Sequence, residues 1–360
     1  MNGNVYKRKD GRYEARIPLG NNDEGKRLYR SFYGKTRKEA EEKLRNFQNH
    51  TGFAYNLTEM TVKALVDEYL NNISFRLKES SLANYCMKIK KHILPCFGGS
   101  NCNLVKPTNI QDFIEQKLKS GLSPRYVADI IILLKSVFRY GNRVYGLKNP
   151  ADGIVMPKRA KPEITILNSA EQARLLASIN GIPDLTSIGI TLALYTGIRI
   201  GELCALQWKD IDLDNRIINV KKTIQRIQSD DSTKKTKVVI SEPKSQSSVR
   251  IIPVPDCLMD MLEKFKENEN VYILSGTSKF VEPRTLQYRF AKILKKANLP
   301  SVHFHSLRHA FATNCIALGF DVKTLSEILG HSSVDITLNR YVHSSLDRKK
   351  ACMRLLKLVA

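Results

Sequence analysis

Long apolar runs are missing from this chain of 360 residues. Stretches such as Ile130–Leu134 and Ile188–Tyr195 fall far short of the ~18 residues that span a bilayer, so no membrane anchor is expected. No apolar segment follows Met1–Lys7, which speaks against a secretory leader. Cysteine is sparse: seven residues, an odd number, with no C-x-x-C spacing, and Cys96 and Cys102 have no His or Cys partner at a zinc interval. Neither a disulfide framework nor a metal site is expected, and the thiols read as reduced, as in a bacterial cytoplasm or nucleoid. The phosphate-cradling pattern GxxxxGK[ST] is absent, so no nucleotide cofactor is expected. Acidic residues are also in short supply, 35 against 58 Lys+Arg, for a net charge of +23. That excess suits a polyanion, because each neutralised phosphate releases counterions. The 42% of hydrophobic residues argues against global disorder.

The chain reads as an α+β protein in three parts: a β-sheet-plus-helix module (1–55), an all-α domain (60–156) and a mainly helical domain with a small antiparallel sheet (163–360). In the first, Asp10-Gly11 predicts a hairpin between Asn4–Arg8 and Arg12–Pro18. A third strand, Lys26–Tyr33, places Arg27, Tyr29 and Ser31 on one face and Leu28, Arg30 and Phe32 on the other. Thr36-Arg37-Lys38-Glu39 fits a capping box opening a helix to about Gln48. Arg12, Arg16, Arg27 and Tyr29 are candidate DNA contacts on this sheet, with a solvated basic face as the alternative.

Apolar spacing near 3.6 predicts helices over Thr61–Asn71, Ser81–His92, Asn109–Ser120 and Pro124–Tyr145. Lys135, Arg139 and Arg143 form a stripe at i, i+4 and i+8, and Lys88, Lys90 and Lys91 crowd the end of the second helix. These are candidate phosphate contacts, as are Lys158 and Arg159 in the proline-bounded hinge Pro157–Pro162. Ser169-Ala170-Glu171-Gln172 is a second capping box, opening the third part. There two helices precede four strands (Arg216–Val220, Lys222–Ile227, Lys237–Ile240, Val249–Val254), and helices follow to the end.

Moving a phosphodiester without metal or nucleotide requires a nucleophile, cations at the non-bridging oxygens and an acid for the leaving oxygen. Arginine serves best as the cation, since its planar fork matches two phosphate oxygens. Thr196-Gly197-Ile198-Arg199 puts an Arg just after a glycine turn, with Glu202 three residues on to hold it. His305-Ser306-Leu307-Arg308-His309 sets His305 and Arg308 on one helix face. Leu329-Gly330-His331 predicts a helix stop followed by an exposed imidazole, and ten residues later Tyr341 precedes Val342-His343.

Taken in this order, the fragments resemble the tyrosine recombinases of the phage integrase family, which include lambda-type and conjugative-transposon integrases. The matching blocks are TG-x-R-x-x-E-x-x-x-L (Thr196–Leu206), H-x-L-R-H (His305–His309), L-G-H-x-S (Leu329–Ser333) and Y-x-H (Tyr341–His343), with Pro243-Lys244-Ser245 ahead of R-x-I-P at Arg250–Pro253. The resemblance implies that Tyr341 attacks the scissile phosphate and forms a 3′-phosphotyrosyl link. It implies that His305 takes the tyrosine proton, Arg199, Arg308 and His331 bind the phosphate oxygens, and Lys244 protonates the leaving 5′-oxygen. Glu202 and His309 would support these groups. Residues 1–55 would bind arm sites and 60–156 core sites. The partners implied are double-stranded attachment-site DNA, a homotetramer on DNA at synapsis and DNA-bending accessory proteins. Integration and excision of a mobile element would be the outcome. Two alternatives stay open on sequence: a type IB topoisomerase, which reseals its own strand, and a non-catalytic DNA-bridging protein.

Overall fold

In a computed structural model of the protein, residues 4–8, 10–21, 27–51, 60–158, 165–180, 184–229, 234–242 and 249–341 are described. The chain divides into two compact units, Met1–Lys161 with Gln228–Ser232, and Pro162–Ile227 with Thr233–Ala360. The boundary falls inside the proline-bounded hinge, of which Arg159 lies outside the described residues.

The first unit begins with the antiparallel sheet β1 (Asn4–Lys7), β2 (Tyr13–Asn21) and β3 (Arg27–Gly34), in that order. Gly11 takes φ +85° in the turn, as the Asp-Gly signal requires. One face packs Ala15 and Ile17 against Ala40 and Leu44 of α1 (Arg37–Thr51), with Phe32 alongside. Thr36 caps that helix by accepting from the Glu39 amide (3.2 Å), while the Glu39 carboxylate accepts from the Lys35 amide (2.8 Å). On the opposite face Tyr6, Glu14 and Tyr33 stand in register, with Arg16 opposite Ser31. Glu14 is buried there between Arg8 and Arg16, each at 2.7 Å. Burial alone would push its carboxyl up. The hydrogen bonds from Arg16, Ser31, Arg8 and Tyr6 together outweigh that and hold it well below the usual carboxylate range.

A second core in this unit is helical, built from α2 (Val62–Ser74), α3 (Glu79–Lys88), α4 (Leu94–Phe97), α5 (Pro107–Lys119) and α6 (Pro124–Tyr145). Leu65, Ile93, Ile110, Ile131, Leu134 and Phe138 lie at its centre. The predicted second helix continues past Lys88 through a π-helical turn, Ile89–Ile93, into α4. Pro95 accounts for the irregularity, since it cannot donate to the preceding turn. Ser123 caps α6 as expected, accepting from the Tyr126 amide at 3.3 Å, with Pro124 at the first helical position.

The second unit opens with α7 (Ser169–Asn180), α8 (Leu185–Thr196) and α9 (Ile200–Ala205). The cap of α7 lies one residue before the predicted one. Asn168 Oδ1 accepts from the Glu171 amide (2.9 Å) and Glu171 Oε2 accepts from the Asn168 amide (2.8 Å). Asn competes as well as Ser for this position, and only Asn168 has an acidic residue three places on. The six-residue α9 is too short to show a helical period, so periodicity does not reveal it. Two small sheets follow: β4 (Ile211–Asp212), β5 (Ile217–Val220) and β8 (Arg250–Pro253) form one, and β6 (Thr223–Gln228) pairs with β7 (Thr236–Ser241) in the other. Helices α10 (Met259–Lys264), α11 (Pro283–Lys296), α12 (His305–Ala317), α13 (Val322–Leu329) and α14 (Val334–Tyr341) complete the unit. Leu203, Ile218, Ile252, Phe290 and Leu307 tie strands and helices into one core.

Candidate active site

The site is built at helix ends. α8 stops at Gly197, whose φ of +63° is natural only for glycine. A Cβ there would also sit 2.5 Å from Phe311 Cδ1 and 2.8 Å from Leu329 Cδ2. The reversed chain places Arg199 as the residue that opens α9. Its backbone amide donates to Glu202 Oε2 (3.0 Å) and its Nη1 to Glu202 Oε1 (2.8 Å), so one carboxylate caps the helix and orients the guanidinium.

Three arginines from distant parts of the chain meet at the C-terminal end of α13. Arg250 Nε donates to the Ile328 carbonyl (2.6 Å), Arg308 Nη2 to that of Leu329 (2.7 Å) and Arg199 Nη2 to that of Gly330 (2.7 Å). These carbonyls carry the negative end of the helix dipole, and the last carbonyls of a helix lack partners within it. Arg308 also joins the end of α8, donating from Nη1 to the Gly197 carbonyl (2.8 Å). It is 2% exposed, whereas the Arg199 side chain is 33% exposed and reaches the surface.

The Glu202 carboxylate pairs with two of these three cations, Arg199 and Arg250. Its Oε2 accepts from Arg250 Nη2 at 2.9 Å. Burial pushes its carboxyl up, but the hydrogen bond and charge of Arg250, with those of Arg199, outweigh it and hold it lowered. Three guanidiniums and the Glu202 carboxylate thus gather where α13 gives way to His331.

His331 is half-buried rather than exposed as predicted, because its Nδ1 meets Thr337 Oγ1 at 2.7 Å. Thr337 is fully buried and stands one turn before Tyr341, the last residue of α14. His305 is exposed in the first turn of α12, with its ring edge-on to the buried His309 at 4.7 Å between centroids. Beside Arg199 and His305 lies a cavity of about 470 Å³, also lined by Thr223, Arg226, Glu282, Arg284 and Gln287.

Arg199, Glu202, His305, Arg308, His309 and His331 are therefore all described in this unit. Lys244 and the side chain of Tyr341 lie outside the described residues. Sequence reasoning passed over two residues. Arg250 was read only as part of the strand pattern R-x-I-P, although the alternation of that strand puts Arg250 and Ile252 inward. Thr337 carried no signal except its place four residues before Tyr341.

The candidate DNA contacts differ among themselves. Lys88 is buried, 3.7 Å from Asp129 and over the Tyr126 ring, so its charge is engaged within the fold. Lys135 pairs with Asp152 (2.8 Å), Arg12 with Asp10 (2.8 Å) and Arg16 with Glu14. Lys90, Lys91, Arg139, Arg143 and Lys158 are exposed, as is Tyr29. The Arg27 side chain and Arg159 are not described.

Guanidiniums gathered at one helix end beside an imidazole suit a phosphodiester. The class that this fold and site define is that of enzymes which break and rejoin DNA strands. Residues 165–348 match the phage integrase family, and residues 61–118 match the phage integrase N-terminal SAM-like domain. The chain belongs to the phage integrase family and is a tyrosine recombinase, acting in site-specific recombination for integration and excision of mobile elements. It is 28% identical over 367 residues to a XerC-like tyrosine recombinase of Caldanaerobacter subterraneus subsp. tengcongensis, covering 92% of each chain. It is 27% identical over 365 residues to the ICEBs1 integrase of Bacillus subtilis, covering 96% of this chain and 97% of that one. Among solved structures it resembles the Tn1549 transposon integrase in complex with a circular intermediate DNA. There the TM-score is 0.67 at 26% identity, over 82% of this chain and 99% of the other. No helix among the described residues is long and apolar enough to cross a membrane.

Proposed function

We propose that Tyr341 is the nucleophile of strand cleavage and that Arg199, Arg308 and His331 hold the scissile phosphate. One observation carries this reading: residues up to 131 positions apart converge on the end of α13, next to the helix that bears Tyr341. Tyr341 Oη attacks phosphorus as His305 takes its proton. The bond from phosphorus to the 5′-oxygen breaks, Lys244 protonates that oxygen, and a 3′-phosphotyrosyl link remains. Arg199 and Arg308 clamp the two non-bridging oxygens, and His331, its Nδ1 on Thr337, hydrogen-bonds one of them through Nε2. Glu202 and His309 support Arg199 and His305. The 5′-hydroxyl of a partner strand then attacks in turn, so diester replaces diester and no external energy source is needed.

In this reading residues 1–55 bind arm sites through the sheet face bearing Arg12, Arg16 and Tyr29. Residues 60–156 bind the core site with Lys90, Lys91, Arg139 and Arg143, and residues 163–360 carry the chemistry. Four protomers assemble on paired attachment sites, helped by DNA-bending proteins, at the nucleoid of a bacterial cytoplasm. The exposed Val334 and Leu338, one turn apart on α14, support such assembly by offering an apolar stripe on the helix that bears Tyr341. The test is covalent capture: sheared DNA of the source genome is incubated with the protein, denatured in SDS, and the protein-bound fragments are sequenced. Wild-type protein should retain a discrete set of fragments and Tyr341→Phe none. Equal retention by the variant would move the nucleophile to another residue.

A further inference from the structure

Arg250 differs from its two companions at the end of α13. No phosphate role is assigned to it, and its side chain is buried, 5% exposed. Two of its contacts lead to groups that do face the phosphate in the reading above. Through Ile328 it holds the helix end from which His331 emerges, and through Glu202 it holds the carboxylate that orients Arg199. It is also the first residue of β8, immediately downstream of the segment that carries Lys244. A buried ion pair is weak evidence of stabilisation, since desolvation of both charges offsets their attraction. Two charges kept here at that cost call for another role.

We propose that Arg250 is a positioning residue for strand cleavage, fixing Arg199 through Glu202 and His331 through the end of α13. The proposal rests on the assignment of Arg199 and His331 as phosphate ligands. Without Arg250, Glu202 Oε2 keeps only the Arg199 amide of these partners and the Ile328 carbonyl loses its guanidinium. The two phosphate ligands then lose their shared anchor. Misplacement of a reacting group by about 1 Å costs on the order of 10²-fold in rate. Binding to DNA, which draws on many phosphates, has no such dependence.

The probe is a duplex recovered by covalent capture and nicked beside the cleavage point, so that cleavage is irreversible. Single-turnover cleavage and equilibrium binding are measured with full-length wild type, Arg250→Gln, Arg250→Lys, Glu202→Gln and the double variant Arg250→Gln/Glu202→Gln. Cleavage by Arg250→Gln should fall about 10²-fold with binding nearly unchanged. Arg250→Lys, which keeps a cationic hydrogen bond, should recover part of the rate. The double variant should be no slower than the slower single variant, because both changes break one linkage. Should Arg250→Gln fail to fold, the double variant leaves no uncompensated buried charge, and its cleavage against that of Glu202→Gln carries the same test. Wild-type cleavage by a folded Arg250→Gln overturns the proposal, as does a loss of binding equal to the loss of rate, or multiplicative losses in the double variant. The Tyr341→Phe control separates this from the assignment of the nucleophile: if that variant still forms the adduct, the broader reading fails first and the proposal with it.

Discussion

Replacing Arg199 with Lys keeps the positive charge and removes the planar fork. Arg199 uses Nη1 for Glu202 and Nη2 for Gly330, and it must offer further N–H groups to phosphate. A single ammonium cannot serve all three directions. The loss corresponds to at least one donor to the developing charge, a rate effect of about 10²–10³-fold, or about 2.7–4 kcal/mol of transition-state stabilisation. The folded state should suffer less. The Arg199 side chain is one-third exposed, and Glu202 retains Arg250 at 2.9 Å. The discount for solvent screening brings the expected cost to about 1 kcal/mol, a drop of about 2–4 °C in Tm for a unit of this size. Charge is conserved, so the salt dependence of DNA binding should not change. Single-turnover cleavage of the nicked duplex, a gel shift across a salt series and a thermal melt together test these figures. Cleavage within about threefold of wild type would refute the reasoning and make Arg199 a structural arginine, since no route to a bidentate clamp survives the change.

Other expectations follow from the same geometry. Thr337→Val preserves shape but leaves His331 Nδ1 without its 2.7 Å partner, so cleavage should fall about tenfold at unchanged binding, read by the same two assays. Glu14→Ala leaves Arg8 and Arg16 facing each other without their shared carboxylate and should destabilise the N-terminal sheet by about 1–3 kcal/mol. Faster limited proteolysis within the first 50 residues, with 165–341 still protected, is the expected sign. Because the Glu14 carboxyl is lowered on folding, its contribution is fully present above the ordinary carboxylate range and is lost as pH falls through the depressed value. Wild-type protection of the sheet should therefore hold near pH 7 and weaken only in acid. Leu355→Asp with Leu358→Asp, in a tail outside the described residues, should leave single-site binding intact and abolish pairing of two sites, measured by gel-shift stoichiometry. A large fall in Tm of the DNA-free monomer would instead show that the tail docks on its own domain.

Much of the fold was legible because its signals are local. Ser123-Pro124 starts α6 where a hydroxyl cap and a pre-set φ require it, and Asp10-Gly11 turns the first hairpin. The alternation along 26–33 sorted Phe32 to the helix-packed side and left Ser31 opposite Arg16 on the other. Local competition also explains the small misses. Asn168 displaced Ser169 as the cap of α7, a proline turned the end of the second predicted helix π-helical, and six residues of α9 were too few to show a period.

The sequence by itself determined which candidate groups the chain offers, because a tyrosine, imidazoles and arginines lie in short blocks whose types and spacing suit phosphoryl transfer. Only the tertiary structure decided how they are held. The carbonyls of 328, 329 and 330 take arginines from three separate elements, 78, 21 and 131 residues away in the chain. No periodicity or cap relates such positions, since their meeting depends on the path of the whole second unit. The same path decided that Glu202 serves two cations, as the path of the first unit decided that Lys88 meets Asp129. Short-range sterics and hydrogen bonding fix an element from its own residues, but a buried charge finds its partner only once the chain has closed around it.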